Sequence, residues 1–322
     1  MKPTTSATRP RTLASPTRKK SAITRLVKVY DKDKFLYLLF LIPFLFFVIF
    51  KYAPMYGLLL AFKDFKIAKG ILGSPWTGLK YFKEFLSNPY SYKLIRNTVL
   101  LRVYQILFGF PAPIILALLL NELRNEKFKR FVQTTSYLPH FISLVVVCGM
   151  IVSFLATDGI LNRVVKFFGG QPFPWLMAPE WFRAIYVGSG VWQDAGWASI
   201  IYLAALTAID PVLYEAAIVD GANRWQRLIH ITLPGIAPTV TVLFLLRMGT
   251  IMTIGYQKIL LLYTGATYET ADVLGTYIYR RGILGADFSF ATAVGLFQNV
   301  VGLLFVVASN AIAKRVSETS LW

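Results

Sequence analysis

Runs of apolar residues as long as a bilayer is thick constrain this chain more than any other feature. A spanning helix needs roughly 20 predominantly apolar residues to cross about 30 Å of hydrocarbon. Six such runs occur, at 35–60, 98–120, 137–155, 184–208, 240–262 and 290–313. With hydrophobic residues making up 56% of 322, the chain is too apolar to be one soluble domain of that length. The expectation is an all-α, polytopic membrane protein with six transmembrane helices. Pro54 stands inside the first run and is placed to end that helix early.

The 34 Lys and Arg against 16 Asp and Glu give a net charge of +18, a balance that also occurs in nucleic-acid-binding proteins. Here the basic residues gather in tails and loops between apolar runs, so membrane topology accounts for them and no nucleic-acid partner is expected. Residues 1–34 are rich in Lys, Arg, Ser, Thr and Pro, lack the short apolar core of a cleavable signal, and read as a disordered basic cytoplasmic tail. Arg18, Lys19, Lys20, Arg25, Lys28, Lys32 and Lys34 directly precede the first run and hold the N-terminus inside. Six spans then return the C-terminal residues 315–322 to the cytoplasm. On this topology 121–136 and 209–239 are internal, whereas 63–93, 156–183 and 263–287 are external. Lys63, Lys66, Lys69, Lys80, Lys83 and Lys93 run against the positive-inside bias, although the N-terminal flank carries more charge still.

The chain divides into the tail, a first span with its external segment (35–96) and a transmembrane domain over 97–314. No repeat has a clear period, and no polar stretch is long enough to bury a core of its own. The phosphate-binding pattern G-x-x-x-x-G-K-[ST] is absent, so any hydrolytic engine belongs to another polypeptide. Cys148 lies in an apolar stretch and reads as a packed thiol. His140 and His230 have no nucleophile or metal partner at a readable spacing and read as interfacial or capping residues; no catalytic or metal site is expected.

One internal segment stands apart. Residues 212–219 are helix-forming, Asp220-Gly221 is a stop and turn signal, and 222–229 can form a second helix before Pro234 breaks it. Ala216, Ala217, Gly221 and Ala222 let another backbone approach closely, Glu215 offers a charge to a cationic partner, and Trp225 an aromatic anchor. Such a helix–joint–helix unit suits either docking into a groove or a solvated amphipathic connector.

The spacing E-A-A-x-x-D-G-A, followed after about eight residues by I-x-L-P, resembles the EAA loop of binding-protein-dependent ABC importer permeases. The resemblance covers the last five spans and implies a type I, MetI-like core. It makes 211–235 a cytoplasmic coupling loop seated in an ATP-binding subunit, with Glu215, Ala216, Ala217, Asp220, Gly221, Ala222, Trp225, Leu233 and Pro234 as the coupling residues. The implied partners are two ATP-binding subunits carrying ATP and Mg2+, a second homologous permease that is a different chain, and an extracytoplasmic solute-binding protein. The chain itself binds no cofactor, and its implied location is the bacterial inner membrane. Stretches 246–249, 258–263, 267–273 and 277–280 resemble the carbohydrate-uptake branch that serves complex polysaccharide fragments of the alginate and rhamnogalacturonan type.

Arg247 falls within the fifth run, where a charge costs at least ~2.5–3.5 kcal/mol and needs a partner or a polar cavity. It either lines a path for an anionic or hydroxyl-rich sugar or makes a structural ion pair. Gln105, Gln193, Asp194, Gln298 and Asn299 lie at similar depth, with Trp192, Trp197 and Tyr256 near them in sequence. That mixture suits sugar hydroxyls and the apolar faces of pyranose rings, and equally suits interhelical hydrogen bonds and interfacial belts. The external loops carry Trp175, Trp181, Glu269, Asp272, Arg280 and Arg281, a composition that fits either a binding-protein contact or membrane anchoring. The alternatives kept open are the same machinery importing neutral oligosaccharides and an ion-coupled secondary transporter.

Overall fold

The computed structural model describes the backbone of residues 22–316 and the side chains of residues 34–314. The expectations for 1–21 and 317–322 lie outside the described residues. Within them the chain is helical, with one isolated antiparallel bridge between Lys63 and Trp76 and no strand. Helix begins at Ala22, inside the stretch expected to be disordered. The reason is local: no proline or glycine interrupts residues 17–42.

The described residues fall into two compact units divided after residue 57. The smaller carries helix Ala22–Phe47, which passes through a π turn at Val48–Tyr52 into a 3-10 segment beginning at Ala53. Pro54 therefore changes the hydrogen-bond register without ending the rod, because a proline near the start of a segment gives up an amide that needs no partner. Apolar side chains from Phe35 to Phe50 are exposed, the state of a lipid-facing span.

The larger unit holds the long apolar helical stretches Pro89–Glu122, Leu144–Phe167, Arg224–Gly249 and Phe288–Lys314, together with Pro179–Thr207 bent by 67° onto Pro211–Val219. Counting that pair as one span and adding Lys34–Phe62 gives the six expected. The fifth differs in its bounds. Its helix closes at Gly249, 250–255 cross without helix, and a separate short helix Tyr256–Leu262 follows. Hydropathy joins these pieces because Ile251, Met252 and Ile254 are apolar, yet they are buried within protein, at 5%, 2% and 5% exposure. The expected break at Pro234 is also absent. A π turn at Leu228–Thr232 leads directly into Leu233–Gly249, the Leu233 amide donating to the Leu228 carbonyl. This widened turn carries the chain past the proline's missing donor.

Three buried clusters hold the unit together. Leu94, Phe85, Leu274 and Phe290 pack near one end; Leu101, Tyr186, Ile254 and Ile259 in the middle; Ala117, Tyr202, Leu206 and Ile236 near the other. Gly196 lets helix Pro179–Thr207 approach Glu126–Tyr137 so closely that a Cβ there would collide with the Ser136 carbonyl oxygen. Small residues serve this purpose where helix packing, not water exclusion, drives association.

Candidate functional site

At the end of the bundle reached by Thr207 the chain forms an elbow. The Asp210 carboxylate accepts from the Val212 amide at 2.9 Å, and Pro211 at the first helical position starts helix Pro211–Val219. That helix stops where Gly221 adopts φ +80°. The Ala222 amide donates to the Ala217 carbonyl at 2.8 Å and the Gly221 amide to the Ile218 carbonyl at 3.1 Å, so the last carbonyls are satisfied by a left-handed joint that favours glycine. Asn223 and Gln226 then form a reciprocal capping box at 2.8 and 2.9 Å. Across the elbow the Tyr214 and Thr232 hydroxyls lie 3.0 Å apart.

The elbow exposes what a folded chain usually hides. Val219 is 87% and Trp225 70% exposed, with Ile218 and Leu213 beside them in sequence also exposed. Glu215 is exposed and in no ion pair among the described residues. Ala217, Asp220, Gly221 and Ala222 line one hollow of about 320 Å³ with Gln226 and His230. Trp225 lines another with Leu118, Leu119 and Glu122. Leu233 and Pro234 line neither hollow and stand at the foot of the next helix. An apolar, unpaired surface of small side chains around an aromatic is the composition of a protein-docking face.

Three hollows of about 600, 50 and 160 Å³, sharing lining residues, follow one another as a furrow along one face of helix Pro179–Thr207. Its wall takes Glu180, Arg183, Val187, Val191, Asp194, Ala198 and Tyr202 in turn, at helical spacing. From Glu180 to Tyr202 the rise is about 33 Å, close to the thickness of the hydrocarbon layer. The stretch beside Tyr104 and Phe108 is the roomiest, a hollow of about 600 Å³. Of the expected polar residues, Arg247, Asp194 and Gln105 meet on this furrow. Arg247 is exposed and in no ion pair among the described residues. Asp194 sits 3.1 Å from His140 Nδ1, and that imidazole stacks on Trp197 with ring centroids 5.0 Å apart.

The other expected residues lie elsewhere. Gln193 donates to the Ile142 carbonyl at 3.5 Å, Gln298 to the Met252 carbonyl at 2.9 Å, and Tyr256 stacks on Tyr279. Asn299 is exposed and off the furrow. Sequence reading passed over two cations at the same depth, Arg102 and Lys258, which are buried. The signal for both was the one used for Arg247, a charge inside an apolar run.

At the opposite end a buried carboxylate ties the loop after residue 262 to the helix Pro89–Gly109. Asp272, 0% exposed, accepts from both Arg280 nitrogens at 2.8 and 2.6 Å, from the Tyr90 hydroxyl at 2.5 Å and from Thr276 at 2.6 Å. The hydrogen bonds to Asp272 raise the Arg280 pKa. Arg281 bridges Glu84 and Asp287, and burial with the Asp64 hydrogen bond pushes the Tyr81 phenol up to about 12.

A family model described as the binding-protein-dependent transport system inner membrane component matches residues 95–318, and this chain belongs to that family. The polygalacturonan/rhamnogalacturonan transport system permease protein YteP of Bacillus subtilis (strain 168) is 43% identical over 305 residues, 94% of this chain and 95% of that protein. Protein LplB of the same organism is 43% identical over 292 residues, covering 90% and 92%. Among solved structures, a chain of a bacterial alginate ABC transporter, crystallised in complex with an alginate pentasaccharide-bound periplasmic protein, superposes with a TM-score of 0.85 at 44% identity. It covers 92% of this chain and 100% of that one. The permease fold and the importer class expected from residues 215–234 are thereby established.

Proposed function

We propose that this chain is one of two different permease subunits of an ATP-driven importer that moves oligosaccharides, uronate-bearing ones included, from an extracytoplasmic binding protein into the cytoplasm. The chain performs no covalent chemistry. ATP and Mg2+ sit on two separate ATP-binding subunits, one of which receives the elbow. The chain lies in the bacterial inner membrane with both termini in the cytoplasm. One observation carries the reading: a furrow of membrane length passes Arg247 along the same helix, Pro179–Thr207, that bends into the elbow, so motion of the elbow is delivered to the helix that walls the furrow. The relatives' acidic polysaccharide substrates agree with a cation on that wall.

In this mechanism ATP-driven approach of the motor subunits swings Pro211–Val219, the bend at 208–210 carries the motion into Pro179–Thr207, and the furrow opens alternately to each side. The test is purification of the tagged chain from its native membrane, followed by reconstitution. Co-purification with an ATP-binding subunit, and uptake of trigalacturonate only with ATP and binding protein, is the expected result. Uptake driven by an ion gradient without ATP would overturn it. Arg247→Gln should lower uptake of the acidic trisaccharide roughly tenfold while sparing assembly.

A further inference from the structure

Two cations behind the furrow have no carboxylate of their own. Arg102 is 9% exposed; its guanidinium donates to Gln105 Oε1 at 3.2 Å and to the Thr250 hydroxyl, while its Nε is buried without a partner. Lys258 is 7% exposed, and its Nζ stands 5.3 Å from the centre of the Tyr186 ring. Neither takes part in an ion pair among the described residues. Both back directly onto the furrow. Gln105 and Gly190 are wall residues, and a Cβ on Gly190 would lie 3.6 Å from the Lys258 Nζ.

The local charge does not balance. Arg247 on the wall adds a third cation, against the single carboxylate of Asp194 on the same stretch. Three positive groups less one negative leave a surplus of two, and Asp194 is already engaged by His140 at 3.1 Å. A buried cation without an anion is costly in a low-dielectric layer, and neutral hydrogen bonds or a ring face relieve only part of that cost. Both groups sit one layer behind that wall, close enough for their field to reach an anion in the furrow. The wall here is built of Gly109, Gly190, Ala195 and Ala198, and the hollow they line is narrow, about 50 Å³, so that anything entering it lies close to these cations.

We infer that Arg102 and Lys258 make the furrow select sugars bearing a carboxylate over neutral sugars of the same size. They act on substrate through the field behind the Gln105–Gly190 wall, with Arg247 as the group that touches it. This rests on the reading that the furrow carries substrate, and it adds which residues set the charge preference.

The experiment removes the binding protein, so that receptor specificity plays no part. In the purified permease–ATPase complex, Ala198→Cys places a reactive thiol on the wall; the native Cys148 is buried, and alkylation of the parent complex is subtracted. Protection from a maleimide is titrated with trigalacturonate and with its carboxyl-reduced, neutral counterpart. The acidic sugar is expected to protect at a concentration at least about tenfold lower, equivalent to ~1.4 kcal/mol. Lys258→Gln or Arg102→Gln should each shrink that gap to roughly threefold or less, and Lys258→Arg, which keeps the charge and controls for folding, should restore it. Equal protection by both sugars in the parent, or an undiminished gap in both glutamine variants, overturns the inference and leaves the furrow as a charge-indifferent path. Protection by neither sugar overturns the path reading and this inference with it.

Discussion

Replacing Gly221 isolates the backbone of the elbow from its bulk. Nothing lies within 4 Å of where a Cβ would sit, so Gly221→Ala adds no clash inside this chain. It does force an L-residue to φ +80°, which costs roughly 1–2 kcal/mol. The alternative is to release the joint, losing the Ala222-to-Ala217 and Gly221-to-Ile218 hydrogen bonds at about 1 kcal/mol each. Either way the seated elbow is disfavoured by about 1–2 kcal/mol, a factor of roughly 5–30 in population. Asn visits the left-handed region more readily, so Gly221→Asn should fall between glycine and alanine. The assay is substrate moved per ATP hydrolysed in proteoliposomes holding the complete importer, with assembly checked by co-purification of the ATPase. The expected order is Gly, then Asn, then Ala. Equal coupling for all three would refute the claim that the left-handed joint transmits the stroke.

Asp272→Ala leaves Arg280 unpaired in a partly buried site and should cost about 3–5 kcal/mol, read as a fall of roughly 10 °C in the melting temperature of the detergent-solubilised complex; a change under about 2 °C would contradict it. Asn162 clamps its loop through the carbonyls of Ala156 and Phe173, the Phe173 amide and the Trp175 indole, at 2.9–3.1 Å. Asn162→Ala should therefore cost about 2–4 kcal/mol locally and speed hydrogen exchange at the Phe173 amide, which an unchanged rate would rule out. Gly196→Val should abolish assembly by driving apart two packed helices, whereas Gly149→Val, with nothing within 4 Å, should assemble normally. Comparable yields from both would show that the Ser136 contact is dispensable.

Much of this architecture was legible because the bilayer imposes a length and an all-helical backbone. The elbow was legible for a different reason: the helix-forming stretch 212–219 and the Asp220-Gly221 stop are local signals that need no tertiary partner, whereas the Pro211 start and the Asn223 cap emerged only with the structure. Where the reading failed, burial inside protein imitated burial in lipid. Ile251, Met252 and Ile254 are apolar because the neighbouring helices cover an irregular strap, and hydropathy cannot tell the two surroundings apart. The furrow was only half readable. Arg247, Asp194 and Gln105 share a wall because three separate helices converge there, while Gln298, equally deep, is spent on the Met252 carbonyl. Arg102 and Lys258 escaped notice because single-residue depth does not reveal which charges lack a counter-ion.

The bare Val219 and Trp225 carry a consequence for how such a chain must be made. A tip this greasy, held out by a rigid proline-started rod, is adhesive until something covers it. If the proposed motor subunit is what covers it, copies synthesised in excess of that partner would offer the tip to whatever is near, so matched production of the two polypeptides would protect the cell as much as it supplies the machine.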